Sequence, residues 1–164
     1  MTRMAAQIDH PLDVLDAGIL RLLHVQPRIG VLEMSRRLDV ARGTVQARLD
    51  KMIDRGVITG FGPDVDLAAL GYGVMAFTTI EVVQGRITDV IEPLQAIPEV
   101  LEVHSIAGQG DLVIRLAARS NEHLMDLLER ILSIPDIART STAIGLARQI
   151  PYRTMPLIDA AASE

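Results

Sequence analysis

The chain has 164 residues, 49% of them hydrophobic, a formal net charge of −5 and no cysteine, which suits one ordinary domain or two small ones and excludes a disulfide framework, a thiolate metal site and a thiol nucleophile. The four histidines, His10, His24, His104 and His123, are scattered without metal-ligand spacing, so neither a metal site nor a cofactor is expected. No apolar run approaches the ~18 residues of a membrane span, and the opening MTRMAAQIDHPLD lacks the apolar core of a secretory signal, so the expected location is the cytoplasm, away from any membrane.

Leu12, Leu15, Ile19, Leu22 and Leu23 fall on one helical face, Asp13 and Asp16 suit its first turn, and Pro27 closes it. Gly30 caps a second helix in which Met34 and Leu38 face inward. A third helix begins near Arg42, buries Val45, Leu49 and Met52, and ends where Gly56 suits a left-handed cap. The second and third helices together read as a helix-turn-helix. The third carries Arg42, Thr44, Gln46, Arg48 and Lys51 on a face that packing does not need, as a helix entering a DNA major groove requires.

Gly60, Gly62 and Pro63 break regular structure in the segment that follows, and Asp66 suits the start of one turn over Leu67–Leu70. Asp64 and Asp66 have no further ligand nearby, so they read as solvated or capping groups.

The second half repeats itself weakly. Ile97-Pro98-Glu99-Val100 is echoed by Ile134-Pro135-Asp136-Ile137, and Gly108 and Gly145 keep the same offset. An amphipathic helix precedes each Ile-Pro pair: Ile87, Val90, Ile91, Leu94 and Ile97 line the first, Leu124, Leu127, Leu128, Ile131 and Leu132 the second, with Ser120 as its cap. Pro93 predicts a kink in the first. Strands are expected over Val74–Val83, Leu101–Ala107, Leu112–Ala118 and Ala138–Leu146. The order βαββαβ is that of a ferredoxin-like sheet, four antiparallel strands with two helices on one face. Its other face must meet water or another subunit, and Val74, Ala76, Ile80, Val82, Ile106, Val113 and Ile144 are too apolar for water. A homodimer or higher homo-oligomer follows. The tail after Pro151 is expected to be mobile, with Leu157 and Ile158 as points for docking on a neighbour.

The charge is divided unevenly. Residues 1–60 hold nine basic groups and seven acids, for +2; residues 61–164 hold seven arginines and fourteen acids, for −7. Phosphate contacts need Lys and Arg, so any DNA contact belongs to the first part. Arg bridges guanine O6 and N7, and Gln bridges adenine N6 and N7. In the second part, Gly108-Gln109-Gly110-Asp111 reads as a hairpin turn. The residues alone favour that reading; the functional alternative is a small-molecule site, in which glycines admit a ligand to backbone N–H groups, Asp111 meets an ammonium, and Thr140 and Thr142 add hydroxyls from one side of the last strand.

Several stretches resemble the leucine-responsive/asparagine regulator (Lrp/AsnC) family of prokaryotic transcription factors over about residues 12–148. LDVLDAGILRLL is similar to the family's opening helix, PRIGVLEMSRRLDVARGTVQARLDKMIDRGVITGF to its helix-turn-helix, LAALG to its linker, and Gly108-Gln109-Gly110-Asp111 followed by LVI to the turn between its two middle effector-domain strands. The chain departs at Ala41 and Gly30, where the family usually has a hydroxyl cap; Arg42 is expected to replace the lost phosphate contact. The resemblance implies an α+β fold, with a three-helix (winged) helix-turn-helix followed by a ferredoxin-like effector and oligomerisation domain. The expected division is 1–60 for DNA binding, 61–71 for the linker, 72–150 for the effector domain and 151–164 for the tail.

The implied function is a regulator, not an enzyme, that binds double-stranded DNA sequence-specifically and responds to a small-molecule effector of amino-acid type, in a pocket between dimers. Arg42, Gly43, Thr44, Gln46, Arg48 and Lys51 are the expected DNA contacts, with pairing to Asp50 or an acid elsewhere as the alternative for Arg48; Gly108, Gln109, Gly110, Asp111, Thr140 and Thr142 are the expected effector contacts. Two alternatives share the fold: a sirohaem or haem decarboxylase-like enzyme using His and Arg of the second domain, and an amino-acid-sensing protein without DNA binding. The intact basic helix argues against both.

Overall fold

The computed structural model describes residues 12–163. Residues 1–11, which include His10 and most of the stretch read for a secretory signal, lie outside the described residues, as does Glu164. The chain forms two compact units, one from the residues up to Pro63 together with those from Pro151, the other from Asp64–Ile150.

In the first unit α1 spans Val14–Val25, α2 spans Val31–Leu38 and α3 spans Arg42–Asp54. The Asp13 carboxylate accepts the Asp16 N–H at 2.9 Å, and Asp16 reaches back to the Asp13 N–H at 3.4 Å. This capping box fixes where α1 begins. The helix stops before Pro27 because a residue preceding proline is driven out of the helical region, and Gln26 sits at φ −137° and ψ 82°. Asp39, at φ 52°, ends α2 in a left-handed conformation, and Val40 N–H donates to the Ser35 carbonyl. Gly56, at φ 69°, ends the turn after α3, where Val57 and Ile58 both donate to the Met52 carbonyl. Helices this short are marginal alone. They hold because Ile19, Ile29, Met34, Val45, Leu49 and Met52 bury one shared core, each large apolar side chain contributing roughly 1.5–3 kcal/mol.

The second unit is βαββαβ: β1 (Val74–Val82), α4 (Ile87–Gln95), β2 (Val100–Ser105), β3 (Leu112–Ala118), α5 (Asn121–Leu132) and β4 (Ile137–Gly145). Among the described residues no strand lies between α3 and β1. The sheet order is β2-β3-β1-β4, and every pairing is antiparallel. Asp66 caps the preceding turn by accepting the Ala68 N–H at 3.0 Å. The two halves of the weak repeat do the same work: Val100 N–H donates to Ile97 O, and Ile137 N–H to Ile134 O, each closing the step from helix to strand. Ser120 caps α5 by accepting the His123 N–H. Pro93 lies inside α4, which ends two residues later.

The faces of the sheet differ from the expected assignment. Ala76 and Ile80 are fully buried against Val90, Leu94, Leu124, Leu127 and Ile131 from α4 and α5, with Val74 and Val82 packed beside them. Strand alternation therefore puts Met75, Phe77, Thr79 and Glu81 on the open face, with their cross-strand partners Ala117, Arg115 and Val113 from β3 and Ala143, Ser141 and Arg139 from β4. Of the residues expected there, only Val113 is placed on that face by strand register; Ile144, opposite Ala76, is on the helix side. β1 is apolar on both faces, so its alternation has no readable phase.

The tail also departs from expectation. Met155–Ala161 form a helix, α6, that contacts α1 within the first unit, and Arg21 pairs with Asp159 at 2.7 Å.

The β2–β3 turn crosses close to β1. At Gly110, φ is +84°, and an added Cβ would lie 2.4 Å from Thr79 Cγ2. Gly110→Ala is expected to cost about 1–3 kcal/mol from positive-φ strain, with the collision adding to it. Gly43→Ala, in a helix with nothing in the way, should instead stabilise by up to about 1 kcal/mol. Urea denaturation of the two variants checks the opposite signs.

Candidate nucleic-acid interface and ligand site

The α3 surface is set by what its other side buries. With Val45, Leu49 and Met52 in the core, Arg42, Gly43, Thr44, Gln46 and Lys51 are exposed. Ala41 precedes the helix without a side-chain cap, and the first turn holds no acid. The first N–H groups of α3 are thus left for an outside acceptor, and the local field favours an anion. Gln46 Nε2 donates to Asp50 Oδ1 at 2.8 Å, which steadies its amide.

Arg48 departs from the expected set. Its Nη1 lies 2.5 Å from Asp13 Oδ2 and 3.3 Å from both carboxylate oxygens of Asp16, across the gap between α3 and α1. Asp16 is only 6% exposed, and a carboxylate in that position needs a charged partner. The sequence reading placed Arg48 among the DNA contacts because a polar residue at that spacing looks outward; the carboxylates that hold it lie 32 and 35 residues away. The Asp13 carboxyl is held below the usual carboxylate range, first by the Asp16 N–H and then by Arg48, against the opposing effect of desolvation. Arg48 is in turn raised, chiefly by its bond to Asp13.

In the second unit the Gly108-Gln109-Gly110-Asp111 turn joins β2 to β3. Asp111 N–H donates to Ile80 O at 2.9 Å, and its Oδ2 accepts the Val82 N–H at 2.8 Å. This continues the β1–β3 ladder past its last pair, Ile80↔Leu112, beside the bulge at Glu81/Val82. One oxygen of the Asp111 carboxylate therefore fastens the turn to β1, which is the hairpin role. Thr142 is turned aside, with its hydroxyl 2.9 Å from that of buried Thr78 on the helix side of the sheet.

Gln109 and Thr140 do come to one place, although Thr140, opposite Ile80, has its side chain on the helix side of the sheet like Thr142. They border a shallow depression of ≈ 90 Å³ with Thr79, Glu81, Arg139 and Ser141. The last four were missed in the sequence. They come from β1 and β4, where Thr79 faces Ser141 and Glu81 faces Arg139, and the signal that finds them is strand alternation combined with sheet order. Glu81 and Arg139 stand 3.9 Å apart and both are exposed. The depression thus offers an anion, a cation, hydroxyls and an amide within one small patch.

The two histidines of the enzyme alternative serve local structure. His104 meets Glu102 at 2.8 Å, and His123 accepts the Arg119 N–H and lies 3.6 Å from Glu99. Among the described residues no group of three His, Asp or Glu is placed to hold a metal ion, and no helix is long and apolar enough to cross a membrane.

A helix-turn-helix joined to a one-sided βαββαβ sheet with a polar patch is the make-up of a two-domain transcriptional regulator. The chain belongs to the Lrp/AsnC family of such regulators. The Winged helix-turn-helix DNA-binding family matches residues 12–59, and the Lrp/AsnC ligand binding domain family matches residues 75–155. The chain is 31% identical over 147 residues to the HTH-type transcriptional regulator FL11 of Pyrococcus horikoshii, covering 90% of this chain and 97% of that protein. It is similar in structure to E. coli AsnC, with a TM-score of 0.84, 30% identity, and coverage of 90% of this chain and 100% of the other. The feast or famine regulatory protein from M. tuberculosis complexed with L-methionine matches with a TM-score of 0.78 and 28% identity, covering 87% and 97%.

The depressed Asp13 carboxyl has a definite consequence for acid stability. Its folded value lies below its unfolded one, so its contribution is fully present above about pH 4 and is lost as pH falls through the folded value. Asp13→Ala should lower stability by about 1 kcal/mol at pH 7 through loss of the cap. The difference from wild type should shrink below pH 4. Thermal melts at pH 7 and at pH 3 check both statements.

Proposed function

We propose that the protein is a sequence-specific regulator whose DNA affinity or assembly responds to an amino acid. The observation that carries the DNA reading is the outward face of α3, where exposed Arg42, Thr44 and Gln46 lie near an uncapped helix start and exposed Lys51 stands in the last turn. In the groove, Arg42 and the first N–H groups take a phosphate, Thr44 and Gln46 meet base edges, Gly43 lets the backbone approach closely, and Lys51 takes a second phosphate. Lys51→Ala should weaken binding to an operator selected from random duplexes. It should also reduce the slope of log affinity against log salt by about one unit, as loss of one phosphate contact requires. Unchanged affinity and slope would remove Lys51 from the interface.

The effector reading is supported by the paired charges beside the β2–β3 turn. Exposed ion pairs such as Glu81–Arg139 are worth about 0–1 kcal/mol, so a zwitterion replaces this one at little cost. Its ammonium meets Glu81, its carboxylate meets Arg139, and the Gln109 amide and the Thr79 and Ser141 hydroxyls orient it. The match to a relative solved with L-methionine favours this ligand class. The depression holds ≈ 90 Å³, far below the roughly 300 Å³ or more of an enclosing pocket. A second copy of the chain therefore completes it, and the open face around half-exposed Phe77 supplies the self-association. Calorimetric titration with L-methionine and the other amino acids tests this. Glu81→Gln should lose about ten- to a hundredfold in affinity for the amino acid that binds wild type, the worth of one charge-assisted bond. Phe77→Asp should yield smaller assemblies in sedimentation and weaker binding together.

A further inference from the structure

We propose that Arg48 is a positioning residue, which sets the rotation of the recognition helix through Asp13 and Asp16 and touches no DNA. The inference rests on α3 being the helix that reads the groove.

The α3 surface that packs is a stripe of Val45, Leu49 and Met52. Apolar contacts are non-directional, so such a stripe resists separation of the helix more than rotation about its axis. A directional contact is needed to fix which residues face outward. Arg48 lies beside the stripe, three residues after Val45 and four before Met52, and it is aimed at the first turn of α1. Its Nη1 meets Asp13 and both oxygens of Asp16. Those carboxylates do not move freely. Each holds the other's backbone N–H in the capping box, and Asp16 is the only charged group among the buried residues described. The recognition helix is therefore referred to a rigid mark on α1, one that short polar contacts within α3, such as Gln46–Asp50, do not provide.

Charge makes the two roles of Arg48 separable. If Arg48 contacted a phosphate, neutralising Asp13 or Asp16 would free the guanidinium and remove an anion near DNA. Binding would then tighten. If Arg48 positions α3, the same substitutions loosen the helix, and specific binding weakens although the protein has become more positive. The sign of the change decides. Asn is as good an N-cap as Asp, so Asp13→Asn keeps the α1 start and isolates the charge.

The experiment compares wild type, Asp16→Asn, Asp13→Asn, Arg48→Ala and Lys51→Ala. Each is titrated against a duplex selected from random sequence by the wild-type protein and against a shuffled duplex of equal length, at several salt concentrations. The temperature is one at which melting shows every variant folded. Asp16→Asn and Asp13→Asn should lose roughly five- to a hundredfold in affinity for the selected duplex, the range for one misaligned base contact, with affinity for the shuffled duplex equal or higher. A loss of stability alone would lower both affinities together. Arg48→Ala should show the same loss of selectivity with an unchanged salt slope. Tighter or unchanged specific binding by the two Asn variants, or a slope reduced by about one unit in Arg48→Ala, overturns the positioning role. A wild type that enriches no sequence, or a Lys51→Ala variant equal to wild type in affinity and slope, overturns the reading of α3 and the positioning role with it.

Discussion

Two crossover helices cover one face of a four-stranded sheet and leave the other bare, and the second unit is organised by that constraint. Crossovers of one hand place both helices on the same side. Here α4 and α5 bury Ala76, Ile80, Ile114 and Leu116 beneath Val90, Leu94, Leu127 and Ile131. The opposite face has an apolar middle of Met75, Phe77, Val113 and Ala117, with Arg115 among them opposite Phe77, and is bordered by charged residues that include Glu81, Glu102 and Arg139. An apolar centre with a polar rim is the pattern of a surface that associates. The proposed effector groups stand on that rim. On the proposed reading, one architectural limit thus supplies both the surface for a second copy and the charged border that holds a small zwitterion.

The β2–β3 turn ties the rim to the core. Asp111 bonds the backbone at Ile80 and Val82, and Gly110 lies so near Thr79 that no side chain fits between them. A loop fastened in this way presents Gln109 from a rigid base, as a loop that contributes to recognition must. The glycines were read in the sequence as room for a ligand. In the structure the room at Gly110 is already occupied by β1.

Much of the fold was legible because its signals are local. The 3.6-residue spacing of Val45, Leu49 and Met52, the acids opening α1, and the Ile-Pro repeats closing α4 and α5 all act within a few residues of where they are read. What escaped depends on distance. Arg48 looked like a surface cation until α1 was folded beside it. Met75–Val82 is apolar at too many consecutive positions for alternation to reveal which side meets the helices. Thr79, Glu81, Arg139 and Ser141 form a patch only once β4 pairs with β1. Residues 155–161 are too short to declare a helix by period, and their order comes from contact with α1, on the far side of the sequence.

The net charge of −5 is compatible with DNA binding because counterion release depends on the cations facing phosphates, not on the sum. Residues 1–60 carry +2, and part of their charge is consumed internally, since Arg48 offsets Asp13 and Asp16, and Arg21 offsets Asp159. On the proposed reading, Arg42 and Lys51 therefore carry a larger share of the phosphate attraction than a count of basic residues suggests. The acidic second unit, Asp64–Ile150, with six arginines and twelve acids for −6, contributes repulsion, and copies of it repel one another as well. The proposed association through the open face must overcome that repulsion with apolar burial. A bound zwitterion adds no net charge but bridges groups of both signs at the rim. On the proposed reading, ligand binding and assembly share one free-energy coupling, so whatever factor the ligand adds to association, association adds to ligand affinity. The effector then acts on DNA only through the difference it makes between assemblies, and the helix that reads the groove needs no contact with it.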